Sequence, residues 1–271
     1  LAGRTYVSHL LPFGINELQM NGAHYLESIF NGFYPRLHDT NILPTDFYPS
    51  YIQPYIERDV RSIKTIENLD LFTRFISLCA GRIGQVLNLS SLANDAGITV
   101  NTAKAWLSLL ESSFILYQLK PWYKNFNKRL IKSPKLYFYD TGLACSLLKI
   151  NNASMLQTHY LYGSLYENFI ISEIQKAFYH AGLTPFIYFW RESNGTEIDC
   201  IIEKSSNFIM ALEIKGGATF TKDYLKNLSR MPDSDILIEK YLIHPGDHST
   251  KIKDVNIVGK SDFGQFLKGK I

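Results

Sequence analysis

The sequence predicts an α+β, multi-domain chain, and three observations carry the prediction. Its 271 residues exceed what one core usually organises. A helix-turn-helix pattern flanked by strands occupies the middle. The last third alternates a long helix, three strands, a short helix and a further strand, which reads as an α/β module. The divisions expected from these patterns are 1–85, 86–150 and 151–271.

Composition narrows the setting. At 46% apolar and 20% charged residues the chain is an ordinary globular one. A net charge of +3 is too small to indicate a nucleic-acid partner by itself. Cys79, Cys145 and Cys200 are widely spaced and form no C-x-x-C. This argues against a disulfide framework or zinc site and for a reducing compartment, so a cytoplasmic location is expected. No apolar run approaches the ~18 residues of a membrane span, and no signal peptide is visible, so no membrane partner is expected. Leu1 is not a start methionine, and Thr5–Pro12 reads as a buried strand without a preceding partner. A fragment of a longer protein is therefore expected.

Between residues 15 and 85 the chain reads as mostly helical. Tyr51, Tyr55, Ile56 and Val60 form a stripe beside Glu57-Arg58-Asp59, and Asn31-Gly32-Phe33-Tyr34-Pro35-Arg36 is a turn. No G-x-x-x-x-G-K-[ST] loop exists, so the chain lacks a phosphate cradle of that kind.

Residues 90–103 fit a helix-turn-helix. Ala93 is small where two helices touch, Gly97 sits at the turn, and Ile98, Ala103, Trp106 and Leu107 pack underneath. The second helix, Asn101–Ser113, would be the recognition helix. Strands follow at Phe114–Leu119 and Lys135–Tyr139, completing a winged-helix pattern. The intervening segment is rich in lysine and aromatics, suited to phosphates and bases respectively. Candidate nucleic-acid contacts are Asn101, Lys104, Lys124, Lys128, Arg129 and Lys132. The alternative is a protein-interaction spacer whose lysines form a solvated face.

Near the C-terminal end lie two strands, Glu197-Ile198-Asp199-Cys200-Ile201 and Ala211-Leu212-Glu213-Ile214-Lys215. Side chains alternate along a strand, so Ile198, Cys200 and Ile202 share one face with Phe208, Met210, Leu212 and Ile214. The other face then carries Glu197, Asp199, Glu203, Glu213 and Lys215. A one-residue slip would bury the charges, so the register is well specified. Asp199 sits opposite Glu213 only if the turn is odd in length or carries a bulge. Upstream, Leu161–Ala181 reads as a helix with Gly163, Glu167, Ile170, Ile171, Ile174 and Phe178 on one face. Glu167 is the one charge on that stripe. It either joins a metal site, or reaches solvent, or pairs with Arg191 or Lys215. The plain alternative for the hairpin is a half-exposed ribbon with surface charges.

A carboxylate on one strand, followed across a turn by Glu-x-Lys on the next, resembles the PD-(D/E)xK nucleases, which share a restriction-endonuclease-like module. That resemblance implies a catalytic set of Glu167, Asp199, Glu213 and Lys215. Asp199 and Glu213 would be the metal ligands, helped by the Ile214 carbonyl, and Mg²⁺ the ion, since the oxygen ligands are hard and few.

The wider chain resembles a family of prokaryotic AAA-type ATPases with a C-terminal domain of unknown function. The carrying strings are Leu1-Ala2-Gly3-Arg4, Leu11-Pro12-Phe13, Gly32-Phe33-Tyr34-Pro35, Tyr55-Ile56-Glu57-Arg58-Asp59-Val60, Tyr139-Asp140-Thr141-Gly142-Leu143 and Gly163-Ser164-Leu165-Tyr166-Glu167-Asn168. Trp190-Arg191-Glu192, running on to Glu197-Ile198-Asp199, belongs with them. Phe33 departs from the family, which usually has a second glycine there. The resemblance implies that residues 1–85 are the end of an ATPase core with a helical lid remnant. ATP would be bound only in the intact protein, DNA and the missing N-terminal ATPase domain would be partners, and an oligomer is compatible. Two functions follow as expectations: a metal-dependent DNA nuclease module gated by the ATPase, or a non-catalytic module that binds DNA or protein.

Overall fold

In the computed structural model, which describes residues 9–20, 24–55, 68–123, 133–192, 195–231 and 236–271, three short helices come first. They are α1 (Tyr25–Asn31), α2 (Pro35–Asp39) and α3 (Pro44–Pro54). Pro35 and Pro44 lie in the first turns of their helices, where a missing N–H costs nothing. The Leu1–Arg4 string and the charges Glu57, Arg58 and Asp59 lie outside the described residues. So does most of the expected Thr5–Pro12 strand; its end, His9–Pro12, is irregular rather than extended into a sheet.

The turn after α1 is fixed by a distant carboxylate. Gly32 has φ 72°, and a Cβ there would overlap the Tyr48 hydroxyl and the Asp140 carboxylate. Phe33 N–H donates to Asp140 Oδ2 at 2.7 Å, and the Tyr48 hydroxyl donates to Oδ1 at 2.6 Å. The Phe33 ring, where the resembling family has glycine, is buried against Phe169 at 5.9 Å with Lys176 Nζ 4.1 Å above it. The added volume is therefore absorbed by packing.

The middle of the chain packs three helices against a two-stranded antiparallel pair. Helices α4 (Leu69–Ala80), α5 (Leu89–Ala96) and α6 (Val100–Ser112) are capped by Asn68, Asn88 and Thr99, each accepting a backbone N–H three residues on. Gly97 ends α5 in the left-handed conformation at φ 76°. Ala93 and Ala103 are buried, and Phe72 and Phe75 of α4 meet Trp106 edge-on at 5.1 and 5.3 Å. Strands β1 (Leu116–Leu119) and β2 (Lys135–Phe138) pair antiparallel, and Ile83 and Val86 bridge to β2. Helices α7 (Thr141–Leu147) and α8 (Ala153–Thr158) follow, α7 being capped by Asp140.

The rest is the predicted helix, three strands, helix and strand, with additions. Helix α9 (Tyr162–His180) precedes β3 (Ile187–Arg191), β4 (Glu197–Ser205) and β5 (Phe208–Ile214). A 3-10 turn, Lys222–Leu225, runs into α10 (Lys226–Arg230), and β6 (Leu237–Ile243), β7 (Thr250–Ile252), β8 (Val255–Val258) and α11 (Phe263–Lys270) complete the chain. The sheet order is β3-β4-β5-β6-β8-β7, with β5, β6 and β8 parallel to one another.

One sheet face behaves as its alternation predicts. Cys200, Ile202, Met210, Leu212 and Ile214 share a core with Ile170, Ile171, Ile174 and Phe178 of α9, and Phe208 packs at its rim. Two expectations need correction. The opposite face is not a charged surface, because Ile201, Ile209, Ala211 and Leu242 are buried there beneath Leu228 and Met231. Ile198 joins this second cluster rather than the first, beside a register shift between β3 and β4 at Tyr188/Trp190. On β4 and β5 the charges of that face lie towards the strand ends.

Helix α9 also ties the units together. Its buried Asn168 donates to Phe138 O at 2.9 Å and accepts Phe138 N–H at 2.7 Å, closing the edge of β2. Its buried Glu173–Lys176 pair holds the N-terminal segment through Ile15 N–H at 2.7 Å and Phe13 O at 2.8 Å. Past β1, Phe189 N–H donates to Lys120 O and Trp122 N–H to Phe189 O, so residues 120–122 run along β3. Among the described residues, no helix is long and apolar enough to cross a membrane.

Candidate functional site

The site lies where β4 begins and β5 ends. The ladder pairs Cys200 with Leu212, Ile201 with Ala211, Ile202 with Met210 and Glu203 with Ile209. Continued by one residue, it sets Asp199 level with Glu213. This parity exists because the register shifts between Glu203 and Ser205, the irregularity that the odd offset requires. Asp199 Oδ2 accepts the Ile214 N–H at 2.7 Å, so the carboxylate caps the end of the ladder. Lys215 Nζ stands 2.6 Å from Glu213 Oε1 and 3.9 Å from Asp199 Oδ2. The three side chains converge.

Glu213 is the most constrained of them. It is buried, and its Oε1 accepts from Asn227 of α10 at 3.0 Å as well as from Lys215. Its Oε2 is buried without a hydrogen-bond partner among the described residues. Burial, with the Asp199 charge beside it, pushes the Glu213 carboxyl up to about 8. Burial works against the Lys215 ammonium, but Asp199 and Glu213 outweigh it and hold the group above its ordinary range.

Glu167 enters from α9 but is already engaged. The Tyr137 hydroxyl donates to its Oε1, and Lys135 Nζ is 3.3 Å from the same oxygen. Burial pushes this carboxyl up to about 7. The pairings expected from sequence, Arg191 or Lys215, are thus replaced by Lys135. The reason is topological: α9 packs across β2, so the first residue of β2 reaches Glu167 sooner than the hairpin does. Lys135 also pairs with Glu197, whose other oxygen is 3.4 Å from Arg191.

As a metal centre the arrangement is sparse. Among the described residues, no group of three or more His, Cys, Asp or Glu is placed to hold a metal ion. What the hairpin offers is two hard carboxylates, one with an unpartnered buried oxygen. That donor set suits a small divalent cation that keeps several of its waters.

Of the nucleic-acid candidates, Asn101 and Lys104 are exposed on α6. Lys124, Lys128, Arg129 and Lys132 lie outside the described residues. Sequence reasoning missed Lys135, Tyr137, Glu197 and Asn227 as members of the site. Lys135 and Tyr137 are two apart on one strand and so share a face, the only local sign of their joint role. Asn227 carries no such sign.

Comparison with known proteins adds similarity without an activity. Residues 22–154 match Domain of unknown function (DUF8612), and residues 162–262 match Domain of unknown function (DUF4143), a domain often found in C-terminal regions associated with AAA ATPases. Uncharacterized proteins of Mycobacterium bovis and Mycobacterium tuberculosis are each 28% identical over 217 residues, covering 78% of this chain. The chain spans about half the length of these curated relatives, 46% of each. No solved structure matches the chain.

Proposed function

We propose that the chain is the C-terminal part of an AAA-type ATPase, pairing a DNA-binding winged helix with a Mg²⁺-dependent phosphodiesterase site. The observation that carries the reading is the convergence of Asp199, Glu213 and Lys215, with Glu213 Oε2 buried and unpartnered among the described residues. Asp199 and Glu213, with the Ile214 carbonyl, would hold the ion. A bound Mg²⁺ would supply Lewis acidity and a nucleophilic water. Lys215 then turns from Glu213 towards the scissile phosphate and offsets its developing charge. Glu167 stays with Lys135 and Tyr137 behind this pair.

The reading is tested by titrating Mn²⁺ or Mg²⁺ and assaying cleavage of a DNA strand. Asp199→Ala is expected to abolish ion binding, whereas Lys215→Ala retains the ion and loses turnover. Ion binding that survives Asp199→Ala would end the assignment. A second reading has one observation of its own: Lys215 already forms a 2.6 Å ion pair with Glu213. A lysine serving as a permanent counter-charge belongs to a non-catalytic module that binds DNA or protein. That reading gains if Lys215→Ala alters stability and leaves no activity to lose.

DNA binding is tested separately. Changing Lys124, Lys128 and Arg129 together to Ala is expected to weaken binding alike for all sequences. The log-affinity against log-salt slope should flatten by roughly 0.9 for each phosphate that is no longer neutralised. An unchanged slope would remove the wing from the DNA-binding surface.

A further inference from the structure

Lys135 is a buried cation with an unusual position. It begins β2, is 2% exposed, and reaches out to Glu167 and Glu197. Glu197 lies two residues before Asp199 on β4, and Glu167 lies on the helix beneath the same sheet. The charge of Asp199 also favours the Lys135 ammonium, after that of Glu167. Four carboxylates therefore gather at this end of the sheet: Glu167 and Glu197 paired with Lys135, and Asp199 and Glu213 at 3.9 and 2.6 Å from Lys215. Glu167 is doubly held at one oxygen, by the ammonium and by the Tyr137 hydroxyl.

We infer that Lys135 is a positioning residue that sets the divalent-cation affinity of the Asp199–Glu213 pair. It withdraws Glu167 from the ligand set and offsets the charge of Glu167 and Glu197. The inference rests on the reading of Asp199 and Glu213 as the ion-holding pair. Physically, a buried positive charge lowers the affinity of a nearby site for a dication, because charges in a poorly screened interior interact strongly. Lys135 touches no substrate. Its effect is exerted through the carboxylates, and it makes the start of β2 part of the cation site.

The sign of the effect separates this role from a merely structural one. Loss of a structural lysine would loosen the site and weaken ion binding. Loss of Lys135 as a charge-setting group should tighten it. The experiment measures Mn²⁺ binding by electron paramagnetic resonance at one fixed pH and ionic strength. The proteins compared are the parent, Lys135→Met, and the charge-balanced Lys135→Met/Glu167→Gln. Lys135→Met is expected to bind about tenfold more tightly, and the double variant to return towards the parent. Binding by Lys135→Met that is equal to or weaker than the parent overturns the inference. If the parent binds no Mn²⁺ and Lys135→Met does, the inference stands and the reading of a resident ion in this chain fails. If neither binds, both fail. Should Lys135→Met not fold, Lys135→Met/Glu197→Gln carries the same test. It removes one charge of each sign yet frees Glu167, so tighter binding supports the inference and equal or weaker binding overturns it.

Discussion

Glu213→Gln is expected to stabilise the metal-free protein at alkaline pH and to abolish its stabilisation by Mg²⁺. The Glu213 carboxyl is raised to about 8 in the folded chain, from an ordinary value of 4.5. A group raised on folding binds its proton more tightly in the native state. Its contribution is therefore complete below the unfolded value and is lost as pH rises through the folded one. Glu167, raised to about 7, acts with the same sign. The melting temperature of the metal-free parent should thus fall between pH ~5 and ~8 and level off above. In Glu213→Gln that fall should be smaller. An isostere that needs no deprotonation should gain about 1–3 kcal/mol at the alkaline end, or several degrees in a chain of this size. Calorimetry across pH, with and without Mg²⁺, checks both statements. A parent whose pH profile is matched by that of Glu213→Gln would mean that Glu213 ionises freely in the fold.

Asp140→Ala is expected to be the most destabilising single change outside the core. The carboxylate is 1% exposed and accepts from Phe33 N–H, the Tyr48 hydroxyl and Leu143 N–H. Burial pushes its pKa up, and these hydrogen bonds pull against that. Truncation removes the acceptor of Phe33 N–H and Leu143 N–H and leaves the Tyr48 hydroxyl only Asn31 O, 2.9 Å away. Each buried, unsatisfied group costs about 1–3 kcal/mol, so a loss of about 4 kcal/mol is expected. Gly32→Ala attacks the same node from the other side, through its positive φ and the overlap of a new Cβ with Tyr48 and Asp140. The two changes should not add, since both open one network. Urea unfolding of the two single variants and the double variant checks this. A loss under about 1 kcal/mol for Asp140→Ala would mean that water replaces the carboxylate.

The hairpin was legible because its information is local. Alternation, the position of the charges and the demand for an odd offset all follow from residues 197–215, and the structure has the required shift. The burial of the opposite face was also written there, in Ile201, Ile209 and Ala211. An apolar strand on both parities signals a sheet covered on both sides. The two helices on either side of Gly97 were legible for the same local reasons, through Ala93 and Gly97. What stayed hidden depends on pairs far apart in sequence. Asp140 serves Phe33 across 107 residues, and Lys135 meets Glu167 across 32. No periodicity announces such pairs, because they arise only once α9 is laid across β2. Glu167 itself stands out as an anomaly on an apolar stripe, but nothing local points to its partner.

The register shift between Glu203 and Ser205 also bears on how this hairpin can change over generations. With side chains alternating every residue, Asp199 and Glu213 meet only while the offset between their strands keeps its parity. A single-residue insertion or deletion in the turn would send one carboxylate to the other face. The apolar set packed against α9 would be carried in the same step to the face beneath Leu228 and Met231. Length variation that keeps the pair together must therefore come in twos, or as one residue matched by the loss or gain of the bulge. Turn length among descendants of this hairpin is thereby quantised, while the identities of the turn residues are free to drift.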